Sequence, residues 1–241
     1  MSDQSYRAVT QALRAIKIIF HPKYEPEVAA LPQLVQEGNI ALDIGANYGQ
    51  YSRLLSPLVG TQGHVYAFEP AELTRRGLKL TLRWLRIKNV TPVGIALCDK
   101  SGESTLHTPI KDSGRYGVAL AHLGENSTRQ TVRETVVTDT LDQFVARENL
   151  KHVDFIKCDV EGAEGLVLQG GQTVLSQFHP HILAEVDPEY LARHGHSPDT
   201  LINLLKPLGY RIFHWKDRKL LEIQDISKSG NYFFLSELRK S

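Results

Sequence analysis

One segment constrains the fold more than any other: an apolar run ends in an acid and two glycines and then continues into an amphipathic helix. The acid is Asp43, and the glycines are Gly45 and Gly49. Glycine lets a backbone approach a ligand where a Cβ would clash, and the first turn of the helix presents unpaired N–H groups above the strand. This pattern predicts an α/β fold with a ligand loop after its first strand.

The spacing of the glycines limits the ligand. A dinucleotide loop has the spacing G-x-G-x-x-G, which places the pyrophosphate on the helix N-terminus, and this sequence reads Asp43-x-Gly45-x-x-x-Gly49. The loop therefore suits a ligand without a pyrophosphate, and S-adenosylmethionine is the candidate. A nicotinamide-dependent oxidoreductase has a similar pattern of strand, glycines and acid, and it stays an alternative although the third glycine is missing.

Three later apolar runs also end in acids. The first ends at Glu69 and Pro70, a position from which a carboxylate can accept hydrogen bonds from both hydroxyls of a ribose. The acids that follow the other two runs are Asp159, Glu161, Glu164, Glu185 and Asp187. Because ligands of open α/β sheets bind outside the carboxyl ends of the strands, we expect these acids to converge on one crevice.

At these positions the chain resembles the FkbM family of S-adenosylmethionine-dependent methyltransferases. The resemblance runs in order from about residue 37 to about residue 213. It rests on Asp43-Ile44-Gly45-Ala46-Asn47-Tyr48-Gly49, Phe68-Glu69-Pro70, Thr140-Leu141-Asp142, Lys157-Cys158-Asp159-Val160-Glu161-Gly162-Ala163-Glu164 and Ala184-Glu185. It implies a Rossmann-like class I methyltransferase fold, an α/β fold with a seven-stranded, mostly parallel sheet and helices on both faces.

The predicted organisation is a single methyltransferase domain over residues 1–241. Residues 1–36 form an N-terminal helical extension, and residues 37–241 form the Rossmann-like core with an insertion at about 101–138. Apolar residues at helical spacing predict an amphipathic helix over residues 6–20. This helix could pack on the domain, cap the cofactor or pair with a second subunit, so a homodimer is among the expectations.

Three further stretches are informative. Pro92 removes a ladder donor from the predicted strand 90–97, which should therefore lie at a sheet edge. The helix predicted over residues 73–87 is unusually basic; its cations form either a solvated face or a surface for an anionic substrate or an acidic partner. In the insertion, candidates for substrate selection are Lys111, Arg115, Tyr116 and His122.

We expect the cofactor to lie along the carboxyl ends of the first three strands. Asp43 would orient the methionine portion through its loop, Glu69 would bind the ribose, and the family fold implies that the adenine lies near the end of the third strand. The predicted cofactor-binding residues are Asp43, Gly45, Ala46, Asn47, Gly49, Glu69, Pro70, Ala96, Leu97, Asp99 and Asp159.

Transfer of a methyl group to a hydroxyl places a second demand on the site. A hydroxyl is a poor nucleophile unless its proton is removed as the new bond forms, and this requires a general base or a metal ion. The predicted catalytic residues are Asp159, Glu161, Glu185 and His196. Asp159, Glu185 and Asp187 could instead bind Mg²⁺, which prefers oxygen ligands, and the resemblance leaves both mechanisms open.

The leading hypothesis is an O-methyltransferase acting on a hydroxyl of a sugar, a glycan or a hydroxylated natural product. A protein that binds S-adenosylmethionine without turnover is a further alternative. With 41% hydrophobic residues and a formal charge of +1, the composition is that of a soluble globular protein and gives no reason to expect nucleic acid. We also expect no transmembrane segment, reduced cysteines at positions 98 and 158, and a cytoplasmic location.

Overall fold

A mostly parallel sheet of eight strands forms the centre of the fold in the computed structural model, which describes residues 25–109, 122–123 and 131–238. The strands are β1 (Ile40–Ile44), β2 (His64–Phe68), β3 (Val90–Val93), β4 (Ala96–Leu97), β5 (Gly102–Pro109), β6 (His122–Leu123), β7 (Thr131–Asp139), β8 (Phe155–Cys158), β9 (His181–Val186), β10 (Tyr210–Lys216), β11 (Lys219–Ile223) and β12 (Gly230–Ser236). The central sheet has the order β11-β10-β12-β9-β8-β1-β2-β3, and the remaining strands form a second sheet in the order β4-β7-β5-β6.

Helices connect these strands and cover both faces of the central sheet. They are α1 (Leu31–Leu34), α2 (Ser52–Val59), α3 (Glu72–Trp84), α4 (Leu141–Arg147), α5 (Glu164–Gln169), α6 (Gln172–Phe178), α7 (Pro188–Ala192) and α8 (Pro198–Leu205). Alternate strand residues enter different cores: Ala41 packs with α2 and α3, and Leu42 packs with α4, α5, α6 and α8. The strands are therefore buried on both sides, as expected for a parallel sheet.

The strand count corrects the expectation of seven. Strands β3, β2, β1, β8 and β9 are parallel, whereas β12 lies antiparallel between β9 and β10, and the eighth strand, β11, pairs antiparallel with β10. A two-residue turn joins β10 to β11, and both turn residues, Asp217 and Arg218, have positive φ. That geometry is usually signalled by Asn-Gly or Asp-Gly, so Asp217-Arg218 does not predict a hairpin.

The predicted third strand is divided between the two sheets. Its first part, β3, lies at the edge of the central sheet, which confirms the expectation from Pro92. The chain then leaves this sheet at Gly94 and Ile95, and β4 pairs in parallel with β7 in the second sheet. Within the predicted insertion, β5 pairs antiparallel with β7.

Polar side chains cap the starts of two helices. The Thr140 side chain accepts a hydrogen bond from Gln143 N at 3.1 Å and caps α4. Ser197 precedes α8, and its backbone N–H donates to Thr200 Oγ1 at 3.0 Å. Such caps stabilise the first turn because its N–H groups have no partner within the helix.

Some predictions fall outside the described residues. These are the amphipathic helix over 6–20 and the candidate residues Lys111, Arg115 and Tyr116; the side chain of His122 is likewise not described. Within the described ranges, every helix is too short or too polar to cross a lipid bilayer.

Candidate active site

The glycine loop after β1 lies between the ends of two neighbouring strands. The backbone N–H groups of Gly45 and Ala46 both donate to the carbonyl oxygen of Phe68, at 3.1 and 2.9 Å. On the other side, a Cβ built at Gly45 would overlap the carbonyl oxygen of Asp159, and Gly45 also has a φ of +81°. Only glycine combines a positive φ with the absence of a Cβ, so Gly45 allows the loop to pack between the ends of β2 and β8.

The second half of the loop leaves a polar group available for a ligand. Gly49 has a φ of +87°, and a Cβ there would lie 2.6 Å from Leu78 Cδ1 on α3. Asn47 also adopts a left-handed conformation, with a φ of 51°. Its Oδ1 atom is buried and has no hydrogen-bond partner among the described residues. A buried acceptor without a donor is costly, which makes Asn47 a candidate contact for the cofactor.

Asp43 is an internal support of this loop. Its side chain is 1% exposed, and Ser52 Oγ, at the start of α2, donates to Asp43 Oδ2 at 2.5 Å. Burial raises the pKa of Asp43 to about 6, against the lowering effect of the Ser52 hydrogen bond. Asp43 therefore fixes the loop to the helix that follows it, consistent with an indirect effect on a ligand.

Glu69 lies at the end of β2 beside the same loop. Ala71 N donates to Glu69 Oε1 at 2.9 Å, and the backbone of Asn47 donates to the same carboxylate. Burial raises the pKa of Glu69 to about 7, although these hydrogen bonds lower it. The Arg75 guanidinium holds the chain after Glu69, since Nη1 donates to the carbonyl oxygens of Glu69 and Pro70 at 2.9 and 2.7 Å.

The residues predicted near the adenine form the link between the two sheets. Ala96 and Leu97 are buried in β4, and Cys98 N donates to the carbonyl oxygen of Asp139 at 2.8 Å. The Cys98 thiol contacts Asp99 Oδ1 at 3.1 Å, and Asp99 itself is exposed. The second sheet therefore fixes the position of this segment relative to the central sheet.

Three carboxylates meet at the carboxyl ends of β8 and β9. Asp159, Glu161 and Glu185 each offer one oxygen, and these oxygens lie within 4.8 Å of one another. Burial, and then the hydrogen bond to Asp159, raises the pKa of Glu185 to about 9. Burial and the Asp159 charge raise the pKa of Glu161 to about 8. At neutral pH Asp159 is thus the ionised member, and Glu185 donates a hydrogen bond to it.

Lys157 explains why Asp159 keeps its charge. This lysine is 1% exposed, and its Nζ lies 3.5 Å from Asp159 Oδ2 and 5.0 Å from the centre of the Tyr51 ring. Burial raises the pKa of Asp159, but the Lys157 charge together with the hydrogen bonds from Glu185 and Lys157 outweighs that effect and lowers it. Sequence reasoning assigned no role to Lys157; the available signal was a lysine inside an otherwise apolar strand that ends in acids.

Asp187 does not join the three carboxylates. Its Oδ1 atom accepts from Glu189 N and Tyr190 N at 2.9 and 3.1 Å, which caps α7, and its Oδ2 atom accepts from Ser229 Oγ at 2.8 Å. Glu161 occupies the third place in the cluster instead. A left-handed backbone at Glu161, with a φ of 55°, turns the chain after β8, and such a turn is hard to anticipate for a glutamate.

Glu164 and His196, two further residues named in the sequence analysis, pack against the protein around this turn. Glu164 is 2% exposed, and its Oε1 accepts from Val160 N at 2.9 Å. The His196 ring packs on α5: a Cβ at Gly165 would overlap it, and Nε2 lies 3.3 Å from Gln169 Nε2. The structure therefore brings Asp159, Glu161 and Glu185 together and leaves His196 against a helix.

Comparison with known proteins identifies the family. Residues 43–212 match the Methyltransferase FkbM domain. The chain belongs to the FkbM methyltransferase family. This match includes the glycine loop, Glu69 and all three clustered carboxylates. Among curated proteins no sequence matches the chain.

Solved structures support the fold of this family member. The crystal structure of the FkbM methyltransferase from Methylobacillus flagellatus KT aligns with a TM-score of 0.53 and 17% identity, covering 96% of this chain and 58% of that one. The chain thus spans somewhat over half the length of that methyltransferase. A candidate methyltransferase from Streptococcus mutans, solved in complex with SAH, aligns with a TM-score of 0.50 and 13% identity over 88% of this chain and 98% of that one. At these identities the likeness establishes a class I methyltransferase fold.

Proposed function

We propose that this FkbM family member is an S-adenosylmethionine-dependent O-methyltransferase that acts on a hydroxyl of a sugar, a glycan or a hydroxylated natural product. The observation that carries the proposal is the Asp159 and Glu185 carboxyl pair, which lies directly beside the glycine loop. A carboxylate and a neutral carboxylic acid next to a cofactor loop provide a proton acceptor where the methyl group would be transferred.

The glycine loop and the end of β2 are proposed to bind the cofactor. The loop at Gly45 and Gly49 lets its backbone approach the methionine portion, Asn47 Oδ1 is available for a hydrogen bond, and Glu69 lies where a ribose is bound in Rossmann-like folds. Ala96, Leu97 and Asp99 would contact the adenine. Bound S-adenosylmethionine would supply an electrophilic methyl group on a sulfonium.

The carboxyl pair is proposed to act as the general base. When an acceptor hydroxyl takes the methyl group that bound S-adenosylmethionine would supply, with S-adenosylhomocysteine as the leaving group, the hydroxyl proton would pass to Asp159. Lys157 keeps Asp159 ionised before the reaction, and Glu185 donates a hydrogen bond that fixes its orientation. Such a base contributes typically about 10²- to 10⁴-fold to a rate.

The surroundings of the pair favour an uncharged, hydroxyl-rich acceptor. The Tyr51 hydroxyl and Asn231 Nδ2 both donate to Glu25 Oε2, at 2.7 and 2.9 Å. Glu25 is thereby held close enough to Lys157 for its charge to raise the pKa of that lysine. Buried acceptor atoms without a partner among the described residues include Glu27 Oε2, Glu161 Oε2 and Asn231 Oδ1. Acceptors of this kind suit hydroxyl donors, whereas the carboxylates of Asp159, Glu25 and Glu27 would repel a phosphorylated acceptor.

A metal ion is the alternative for activating the hydroxyl. The oxygens of Asp159, Glu161 and Glu185 are ligands that Mg²⁺ accepts, although the proposed base mechanism needs no metal. Binding and turnover measured with EDTA and with added Mg²⁺ separate the two mechanisms.

The experiment that tests the proposal is calorimetric titration of the cofactor-stripped protein with S-adenosylhomocysteine and, separately, with NAD. Binding of S-adenosylhomocysteine alone supports the proposal; binding of NAD alone, or of neither, overturns it.

Neutral glycosides and matched sugar phosphates are then compared as methyl acceptors. Methylation of an amine or a thiol in place of a hydroxyl would overturn the O-methyltransferase assignment, and cofactor binding without turnover would indicate the non-catalytic alternative.

A further inference from the structure

Helix α3 presents two large apolar side chains to solvent. Leu80 is 48% exposed and Trp84 is 67% exposed. Because they are four positions apart on one helix, they are neighbours on its surface. Single exposed apolar residues are common and need no explanation, but here a leucine and a tryptophan form one outward patch.

Packing of the helix does not need this patch. The opposite side of α3 is held by buried residues, including Leu78 and Leu82. Gly77 lies against the Tyr48 ring, where a Cβ would come within 2.5 Å of the ring carbons. Helix α3 is therefore anchored to the domain by one side, and its outer side is left for another role.

Cations surround the patch. Arg76, Leu80 and Trp84 form one row along the helix, and Lys79 and Arg83 form the next row. Residues 72–98 contain six lysines and arginines and a single acid, Glu72, which pairs with Arg75 and Arg76, although the whole chain has a formal charge of only +1. Among the described residues, no ion pair is formed by Lys79, Arg83, Arg86 or Lys88. Positive charge is thus concentrated beside the exposed tryptophan.

We propose that this face of α3, defined by Arg76, Lys79, Leu80, Arg83 and Trp84, binds the surface of an anionic lipid bilayer. Tryptophan prefers the boundary between lipid and water, since its ring is apolar and its N–H is polar. Clusters of lysine and arginine on an amphipathic helix are attracted to anionic headgroups. A nucleic acid would use the cations but would gain little from Leu80, so a bilayer fits the combination better. The face lies outside the proposed active site and does not depend on the proposed function.

Tryptophan fluorescence tests the proposal directly in the full-length protein. The chain has two tryptophans, and the other one, Trp215, is only 8% exposed; an emission change on binding therefore reports Trp84. We expect a blue shift with vesicles of phosphatidylcholine and phosphatidylglycerol, no shift with phosphatidylcholine alone, and release in high salt. The Trp84→Phe variant should lose the shift while it still sediments with the anionic vesicles.

Charge variants complete the test. Replacing Lys79 and Arg83 together by glutamine should weaken vesicle binding by about 30-fold. Lys216→Gln with Lys219→Gln, a matched pair of exposed cations next to the β10–β11 turn, should leave binding unchanged. Absence of binding, equal binding to neutral vesicles, or an equal loss in the matched pair would each overturn the proposal. Tighter binding to double-stranded DNA than to vesicles, or self-association that Trp84→Ser abolishes, would also overturn it.

Discussion

The ammonium group of Lys157 and the carboxylate of Asp159 form an ion pair, 3.5 Å apart, at the carboxyl end of β8. The two residues are separated by only one position, so the pair is formed where the strand ends and the chain enters its turn. Lys157 is buried and Asp159 is partly exposed. The cation therefore acts on the candidate base from the protein interior and leaves the other side of the carboxylate open to an acceptor.

Replacement of Lys157 by methionine tests this relationship. The substitution keeps most of the buried volume and removes the charge that lowers the pKa of Asp159. We expect the acidic limb of the kcat/KM profile against pH to move upward by about one to three pH units. The exposed Lys219→Met variant serves as control and should keep the wild-type profile. An unchanged limb in Lys157→Met would show that Lys157 does not set the protonation of the base.

Substitutions of different acids should impair cofactor binding and turnover separately. Asp43→Ala and Glu69→Ala remove supports of the cofactor loop, so calorimetry should show loss of S-adenosylhomocysteine binding. Asp159→Asn and Glu185→Gln keep the side-chain shapes, so binding should persist while turnover falls by about 10²- to 10⁴-fold. Equal loss of cofactor binding in all four variants would contradict this division of roles.

Two glycine substitutions separate backbone strain from steric overlap. Gly45 and Gly38 have similar φ values, +81° and +86°, but a Cβ at Gly45 would overlap Asp159 whereas a Cβ at Gly38 has nothing within 4 Å. Gly38→Ala should therefore cost only about 1–2 kcal/mol in the free energy of unfolding. Gly45→Ala should cost more than about 4 kcal/mol and abolish cofactor binding. Urea unfolding of both variants provides the comparison, and equal costs would argue against the close approach.

The buried acids predict an unusual pH dependence of stability. Burial raises the pKa of both Glu69 and Glu164 to about 7, from an ordinary value of 4.5. Between these pH values the folded protein keeps protons that the unfolded chain has released, so stability falls as pH rises through this window. Thermal melts of the cofactor-free protein should thus give a higher midpoint at pH 5 than at pH 8.

A conservative substitution identifies one source of that dependence. Glu164→Gln keeps a carbonyl oxygen that can accept from Val160 N and removes the titrating group. The variant should flatten the pH dependence and stabilise the protein at pH 8 by on the order of 2–3 kcal/mol. At pH 5, where this gain is absent, Glu164→Ala removes the acceptor and should destabilise the protein by about 1–3 kcal/mol. A Gln variant with the wild-type pH dependence would exclude Glu164 as a contributor.

Metal removal distinguishes the two ways of activating a hydroxyl. If Asp159 acts as a base, activity should survive EDTA and should not depend on added Mg²⁺. The Asp187→Asn variant is the matched control, because asparagine also caps helices and Asp187 lies outside the carboxylate cluster. Activity that is lost in EDTA and restored by Mg²⁺ would assign the cluster to metal binding instead.

The sequence could predict the features that local rules determine. Gly45 and Gly49 predicted the loop, and Pro92 predicted the edge strand. Contacts between distant segments were harder to foresee. The placement of Glu161 in the carboxylate cluster depends on its left-handed backbone, and the division of residues 90–97 between two sheets depends on pairing with β7. The role proposed for the buried Lys157 depends on its position beside Asp159 and Glu185, which lie on other parts of the turn and the sheet.

The close approach of Gly45 to Asp159 also has a consequence for folding during translation. The strands that carry them are neighbours in space but distant along the chain: Ile40 N, at the start of β1, donates to the Asp154 carboxylate 114 positions later. A nascent chain that has left the ribosome only as far as the glycine loop still lacks β8 and Asp159, which lie on one side of that loop. Such non-local pairing slows folding, so competence to hold a ligand arises late in translation, after β8 has left the ribosome.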